Sequence, residues 1–320
     1  MDATGRRTRS ILILILFTAA VYRFTYLAFL KNDPLPYHAL TIDIYDQSRF
    51  MNLAKDILEQ GGRNALRQSR LYCPAYSFLI AFIYTLFGQH LMHVFIFQSV
   101  IGIMAVYLMF KAGQYLFDSE TAGLLAAGIM ALYSPLVFYE GTLLRASLLA
   151  YINLAGFYFL LRGCREEKWF FFICGGLFMG LSFTLRQHFL PIFILLYLAM
   201  RRNVAGPKRI VAFISCALSL ALVIMPFLSC AKANNKMDVK STGLSIFWIG
   251  NTHDSIGIGL WRSPLRGKLA QESEGRVLKT GEVFWREIRE HPRVYLSLYA
   301  RKMYMLFNAY EIPANICIWN

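Results

Sequence analysis

Long apolar runs separated by short polar segments form the main pattern of this chain. After the first run, Ile11–Leu30, the chain returns to apolar runs again and again. An α-helix rises about 1.5 Å per residue, so about twenty residues cross the hydrocarbon core of a bilayer. The pattern therefore predicts an all-α, polytopic integral membrane helix bundle. The later runs are Pro74–Gly88, Leu91–Phe110, Thr121–Phe138, Ala146–Leu161, Trp169–Leu185, Phe189–Met200 and Ile210–Leu228.

The composition agrees with the membrane class. Apolar residues make up 57% of the chain and the mean hydropathy is +0.44, values outside the range of soluble globular proteins. The first run follows Arg6, Arg7 and Arg9, as the apolar region of a signal peptide would. It is longer than such a region, however, and no small-residue cleavage site follows it, so we interpret it as a retained first helix.

The distribution of basic residues predicts the topology. The net charge is +14, and much of it lies in loops, at 162–168 and 201–209 above all. If Pro74–Gly88 crossed the membrane, both loops would lie opposite the N-terminal arginines. If it lies flat on the outer surface, all three basic segments share the cytoplasmic side, as the positive-inside rule favours. We therefore predict about seven spans, a cytoplasmic N-terminus and a multi-pass location in the inner or plasma membrane.

This topology predicts two regions. Residues 1–229 form a transmembrane module whose first outer loop, with juxtamembrane helices, covers residues 31–90. Residues 230–320 form an outer-face loop with interfacial helices. Apolar spacing predicts helices at Asp46–Gln60, Glu282–Glu290 and Arg293–Phe307.

Two aspartates just beyond the first span could carry chemistry. Asp43 or Asp46 could act as a general base, because a hydroxyl or amine acceptor must lose a proton as it attacks a sugar carbon. Asp46 could also simply cap the helix that follows it, since aspartate is a favoured N-cap residue. One side chain can do both, because a cap leaves one carboxylate oxygen free.

Two arginines are expected at the outer ends of spans. Arg145 follows the third span and Arg186 begins the turn that contains His188. A guanidinium fork binds two phosphate oxygens at once. The alternative is that each arginine only reaches for the lipid headgroups. Arg23 lies inside the first span, where it snorkels or pairs within the bundle, and we assign it no role.

Metal binding is not expected from residue spacing. The six cysteines form no CxxC pair, and His38, His90, His93 and His253 have no partner at metal or triad spacing. A divalent metal is nevertheless not excluded.

Five segments carry a resemblance through their order and spacing. They are Asp46 with Phe50 and Ala54, Tyr72–Tyr76 with Leu86–Gly88, Tyr133–Leu144, Trp248–Asn251 and Phe307–Pro313. Together they resemble the bacterial GT-C membrane glycosyltransferases related to protein O-mannosyltransferases and to the aminoarabinose transferase of lipid A. Relatives often carry an acidic or amide residue where this chain has Cys73. They also continue with more spans, so the resemblance implies an N-terminal fragment or a shortened relative.

The resemblance implies an enzyme that moves a sugar from a polyprenyl-phosphate donor to an acceptor on the outer, periplasmic face. The acceptor would be a glycan, a lipid or a protein, and no cofactor is implied. The family's acidic residue matches Asp46, with Asp43 secondary. Substrate contacts are implied for five residues, namely Arg145, Arg186, His188, Glu140 and Tyr76.

Two other functions remain open at this point. A transporter would place ionisable groups or broken helices near the midplane, often in repeated halves, whereas here polar residues gather at the outer rim. A non-catalytic membrane scaffold is the third possibility. Nucleic acid is not an expected partner, because the basic residues follow the topology rule.

Overall fold

The computed structural model describes residues 3–32, 46–68, 74–186, 206–233, 248, 251–254, 264–272 and 277–306. The chain divides into two compact units, Met1–Asn234 and Asn235–Asn320. In the described part of the first unit the helices are α1 Ala3–Leu30, α2 Asp46–Gln60, α3 Gly62–Gln68, α4 Ala75–Phe87, α5 Leu91–Phe117, α6 Glu120–Ala131, α7 Ser134–Glu140, α8 Ala146–Glu166, α9 Trp169–Leu185 and α10 Gly206–Ala233.

The helices of the first unit confirm an all-α membrane bundle. By length and composition, α5, α8 and most of α1 can each cross a bilayer. The pair α6 and α7, bent by 52° at the break between them, can form a fourth span. Two shorter apolar stretches, α9 and Phe213–Met225 within α10, agree with two further expected spans. The span expected at 189–200 lies outside the described residues.

The first helix shows the lipid-facing character of the bundle. Ile13, Leu14 and Phe17 are 67%, 62% and 65% exposed, although all three are strongly apolar. A continuous apolar surface of this kind is unfavourable in water and favourable in lipid. Leu12 and Ala19, on the other side of α1, are buried against α5 and α6.

The helix α4 does not carry the chain across the bundle. Leu27 and Leu30 at the end of α1 share one buried cluster with Val94 and Phe95 at the start of α5. The chain therefore leaves α1 and enters α5 at the same end of the bundle, which we name the α2 end. Ile80 and other residues of α4 complete this cluster. The thirteen residues of α4 are also too few to cross about 30 Å of hydrocarbon, in agreement with the predicted flat helix.

The opposite end collects the basic segments, and we name it the basic end. Thr8, between the N-terminal arginines, donates a hydrogen bond to Glu120 at the start of α6. Arg165, at the end of α8, forms an ion pair with Asp118 at 2.8 Å. The N-terminal arginines and the 162–168 loop therefore lie at one end of the bundle, as the charge pattern predicts.

Small residues allow α9 and α10 to pack closely. Gly176 lies against Cys216 and Ser219, and a Cβ on Gly180 would come within 2.9 Å of Val223. Four residues further along α9, the contact on α10 also lies four residues further along. The two helices therefore run parallel, as expected of helices separated by one intervening span. Close backbone approach through glycine is a common packing device between membrane helices.

The topology predicts opposite accessibility for two positions. In a variant without native cysteines, Gln89→Cys should react with an impermeant maleimide added from outside, because Gln89 lies between α4 and α5 at the α2 end. Gly206→Cys, at the start of α10, should react only when the reagent reaches the cytoplasmic side. Labelling in right-side-out and inverted vesicles measures both. Reaction of Gln89→Cys only from the cytoplasm would reverse the orientation.

The described part of the second unit is also helical. Its helices are α11 Pro264–Glu272, α12 Val277–Glu290 and α13 Pro292–Leu306. The α12 helix starts earlier than the predicted Glu282, and α13 matches its predicted bounds within a residue. Trp248, Leu269 and Val283 form the buried core, with Phe284 packed against it.

Candidate functional site

The helix α2 presents Asp46 at its start. Apolar residues recur at helical spacing along α2, and Phe50, Leu53 and Ala54 are buried. Asp46 is the first residue of the helix and is half-buried. A carboxylate in this first turn is favoured by the partial positive charge of the helix N-terminus. The structure therefore agrees with the helix-stabilising role and leaves the role as a base open.

Two buried glutamines position the segment between α7 and α8. Gln47 accepts a hydrogen bond from the backbone N–H of Leu143 at 3.1 Å, across 96 residues of sequence. The side-chain amide of Gln98 on α5 donates to the carbonyl oxygens of Glu140 at 2.8 Å and Thr142 at 3.0 Å. These bonds fix the backbone that leads directly to Arg145. Neither glutamine was singled out from the sequence, although a lone Gln98 in an apolar run is a signal that could have found it.

Arg145 lies over an aromatic ring of α2. Its guanidinium carbon is 5.3 Å from the ring centre of Phe50, a cation–π distance. Phe50 follows Asp46 by four residues, so both side chains project from one face of α2. The structure thus places Arg145 over Phe50, a residue one helical turn from Asp46 along α2.

Tyr76 packs against the Phe50 ring and holds it in place. Its ring meets the Phe50 ring edge-on at 5.2 Å and 87°, and its hydroxyl donates to Gln98 Oε1 at 2.9 Å. Burial raises the pKa of the Tyr76 phenol, which therefore remains a neutral donor. The side chain is fully buried. The resemblance implies a substrate contact for Tyr76, whereas the structure places it behind Phe50 as a packing and hydrogen-bonding residue.

Arg186 lies at the same end of the bundle. It is exposed at the end of α9, where its backbone N–H donates to the carbonyl of Ser182 at 2.9 Å. The preceding Leu185 is packed into the cluster that contains Phe50 and Leu143. Convergence of Arg186 and Arg145 on one cavity stays a prediction. Asp43 and His188 lie outside the described residues.

Glu140 is held inside the bundle by Arg23. Both side chains are 0% exposed, and Arg23 Nε lies 3.1 Å from each oxygen of Glu140. Tyr151 on α8 donates a short hydrogen bond to the same carboxylate. Arg23 also donates to the backbone carbonyl of Ala131 at 3.2 Å. The resemblance implies a substrate contact for Glu140. In the structure its carboxylate pairs with Arg23 of α1 and accepts a hydrogen bond from Tyr151 of α8, so it links α7 to both helices.

The second unit contains a cluster that residue spacing missed. His253 Nδ1 lies 3.0 Å from Glu287 Oε2, and the rings of His253 and His291 are 4.5 Å apart. His253 therefore has spatial neighbours of the type that bind metals, which its spacing along the sequence did not indicate. Its partners lie 34 residues away and beyond in sequence, which is why no local spacing indicated them.

Residues 72–229 match the family model described as dolichyl-phosphate-mannose-protein mannosyltransferase. The match covers Arg145 and Arg186 and runs from α4 through most of α10. Asp46 and the rest of α2 precede it. A comparison with curated proteins finds no match to the chain.

Proposed function

We propose that this chain is a membrane glycosyltransferase similar to the dolichyl-phosphate-mannose-protein mannosyltransferases, whose family model matches residues 72–229, and that it transfers a sugar from a polyprenyl-phosphate donor to an acceptor at the α2 end. The match confirms the resemblance found in the sequence motifs. A glycosyltransferase embedded in a membrane has a lipid-linked donor within reach. The donor lipid, the acceptor and the face of the membrane are the parts that we propose.

One observation carries the proposal, namely the position of Arg145 over Phe50, one turn from Asp46. A fixed cation suits the phosphate of a lipid donor, whose headgroup lies at the end of the spans. A nearby carboxylate suits the proton of an acceptor. Transfer needs the cation and the carboxylate at one end of the bundle. A single arginine or a single aspartate would not differ from the charged residues found at ordinary helix ends.

The proposed reaction is an inverting displacement. An acceptor hydroxyl attacks the anomeric carbon of the donor sugar, and its oxygen forms the new glycosidic bond. The bond between that carbon and the phosphate oxygen breaks, and polyprenyl phosphate leaves with the bonding electrons. Asp46 takes the proton of the hydroxyl. Arg145 and Arg186, with His188 as a further candidate, neutralise the charge on the leaving phosphate.

The side of the membrane follows from the charge pattern. The basic end holds the N-terminal arginines and the 162–168 loop, and we assign it to the cytoplasm. The α2 end then faces the outside, where the acceptor would be a glycan, a lipid or a protein. In a bacterium this is the periplasmic face of the inner membrane.

Donor binding should depend on Arg145. We expect Arg145→Ala to weaken binding of polyprenyl phosphate about 10–100-fold, the usual effect of losing hydrogen bonds from a charged donor. Arg145→Lys should recover only part of this loss, since an ammonium keeps the charge but lacks the planar fork. Binding can be measured with a fluorescent polyprenyl phosphate and purified full-length protein in nanodiscs.

Arg162 offers a matched control for this test. It also lies over an aromatic ring, Phe171, at 4.3 Å, but it belongs to the basic end. Arg162→Ala should therefore bind the lipid phosphate as the wild type does. Equal binding by all variants would contradict the donor site, and equal losses for Arg145→Ala and Arg162→Ala would indicate general attraction to an anionic lipid.

A further inference from the structure

Three metal-ligating side chains meet in the second unit. His253, Glu287 and His291 each offer a ligand atom, and these atoms lie within 4.8 Å of one another. Glu287 is buried and the two histidines are half-buried, so the cluster is partly shielded from solvent but open to a dissolved ion. All three residues belong to the second unit, so the inference is independent of the proposed transferase reaction.

Two of the ligands come from the junction between α12 and α13. Glu287 and His291 are four residues apart, and the backbone N–H of His291 donates to the carbonyl of Glu287 at 2.9 Å. This bond continues the helical turn, so the two side chains lie on one face. Pro292 then begins α13, which holds His291 at a defined bend.

The third ligand is delivered by an anchored turn at 251–254. Tyr295 donates to the carbonyl oxygen of Asn251 at 3.2 Å, and Lys302 donates to its side-chain oxygen at 2.8 Å. Next to the turn, Trp248 is fully buried and its ring lies 6.0 Å from that of Phe284 on α12. The position of His253 is thus set by α12 and α13 themselves.

The charge balance leaves Glu287 available for a cation. Arg286 binds Glu272 through two hydrogen bonds of 2.7 and 2.9 Å, and its nearest nitrogen is 4.0 Å from the second oxygen of Glu287. Arg286 is therefore committed mainly to Glu272. A buried carboxylate normally requires a close cation.

We propose that His253, Glu287 and His291 bind a divalent transition-metal cation of the zinc class. Two imidazoles and one carboxylate are a set that zinc uses, with a fourth position left for water, whereas calcium and magnesium prefer oxygen ligands alone. Zinc bonds of about 2.0–2.1 Å in tetrahedral geometry place neighbouring ligand atoms about 3.3 Å apart. The 3.0 Å separation of His253 Nδ1 and Glu287 Oε2 is already close to this value. Side-chain rotation can close the remaining gaps.

The bound metal would clamp the 251–254 turn to the α12–α13 junction. These elements are separate in sequence, so a bond to each restricts the unfolded chain and stabilises the folded unit. We expect the metal to raise the melting temperature of the protein, with no requirement for a sugar donor or acceptor.

The test uses full-length protein in detergent, purified without a histidine tag and stripped of metal. The wild type should bind one equivalent of Zn²⁺, and Co²⁺ in its place should give the strong visible absorption of a four-coordinate site. His253→Gln, Glu287→Gln and His291→Gln should each weaken Zn²⁺ binding about 100-fold or more, since ligand removal costs at least as much as loss of an outer-shell partner. Each should also lose the rise in melting temperature.

His93→Gln is the matched control, because the rings of His90 and His93 also lie near each other, at 5.6 Å, but in the first unit. This variant should bind Zn²⁺ as the wild type does. Unchanged binding in all three ligand variants, or loss of binding in His93→Gln, would overturn the site. Should a ligand variant fail to fold, X-ray absorption of the zinc-loaded wild type decides. Two imidazoles in the metal shell support the site, and sulfur ligands or water alone refute it.

Discussion

Asp46→Asn is expected to reduce sugar transfer by about 10²–10⁴-fold, the usual effect of removing a general base. The asparagine amide is nearly the same size as the carboxylate and can still accept hydrogen bonds at the start of α2, but it cannot take a proton. Folding and membrane insertion should therefore survive. The measurement is transfer from a polyprenyl-phosphate sugar in proteoliposomes, with donor binding measured in parallel.

Asp56 supplies the control for this substitution, because it lies on the same helix without facing Arg145 in the proposed site. Asp56→Asn should transfer sugar normally, and Asp43→Asn should show a milder loss than Asp46→Asn. If Asp43→Asn lost sugar transfer while Asp46→Asn kept it, Asp43 and not Asp46 would be the general base. Normal transfer by both would leave Asp46 only a helix-stabilising role.

Glu140→Gln is expected to destabilise the first unit by about 3–5 kcal/mol, the typical cost of removing one partner from a buried ion pair. The variant removes the carboxylate that pairs with the Arg23 guanidinium, which is 0% exposed. A double variant with Leu at both positions should recover much of the loss, because apolar residues avoid the desolvation of both charges. Unfolding in mixed micelles, followed by circular dichroism, measures these differences.

The half-exposed pair Arg162–Glu166 at the basic end is the comparison for Glu140→Gln. Glu166→Gln should leave stability close to that of the wild type, since solvent screens such pairs. Full stability of Glu140→Gln would contradict the structural role. If that variant were fully stable but lost sugar transfer, the result would favour the substrate contact that the resemblance implies for Glu140.

Local patterns in the sequence were sufficient to predict α2. Its apolar residues at helical spacing, preceded by an aspartate, predict Asp46–Gln60, and the structure has the same bounds. The flat α4 was predicted from charge and length, and the cluster joining the ends of α1 and α5 agrees with it. Both features depend on residues that are near each other in the chain or on charges counted per loop.

The candidate site was predicted only in part. Arg145 was selected for its place at the end of a span, but its position over Phe50 depends on how α2 is rotated against the 141–145 segment. In the structure Gln47 on α2 and Gln98 on α5 both bind the backbone near this segment, through hydrogen bonds between distant parts of the chain. Hydropathy reports whether a helix is buried in lipid or protein, and it does not report which side chain faces which partner.

The sequence by itself determined the class of the protein, the order of its apolar helices, and the family that its motifs resemble. These follow from the cost of exposing backbone and apolar groups to the wrong solvent, which acts on each segment separately. Only the tertiary structure decided that Glu140 pairs with Arg23, 117 residues away, and that His253 meets Glu287 and His291. Such pairings depend on the relative rotation and crossing of packed helices, and these are settled by the whole bundle at once.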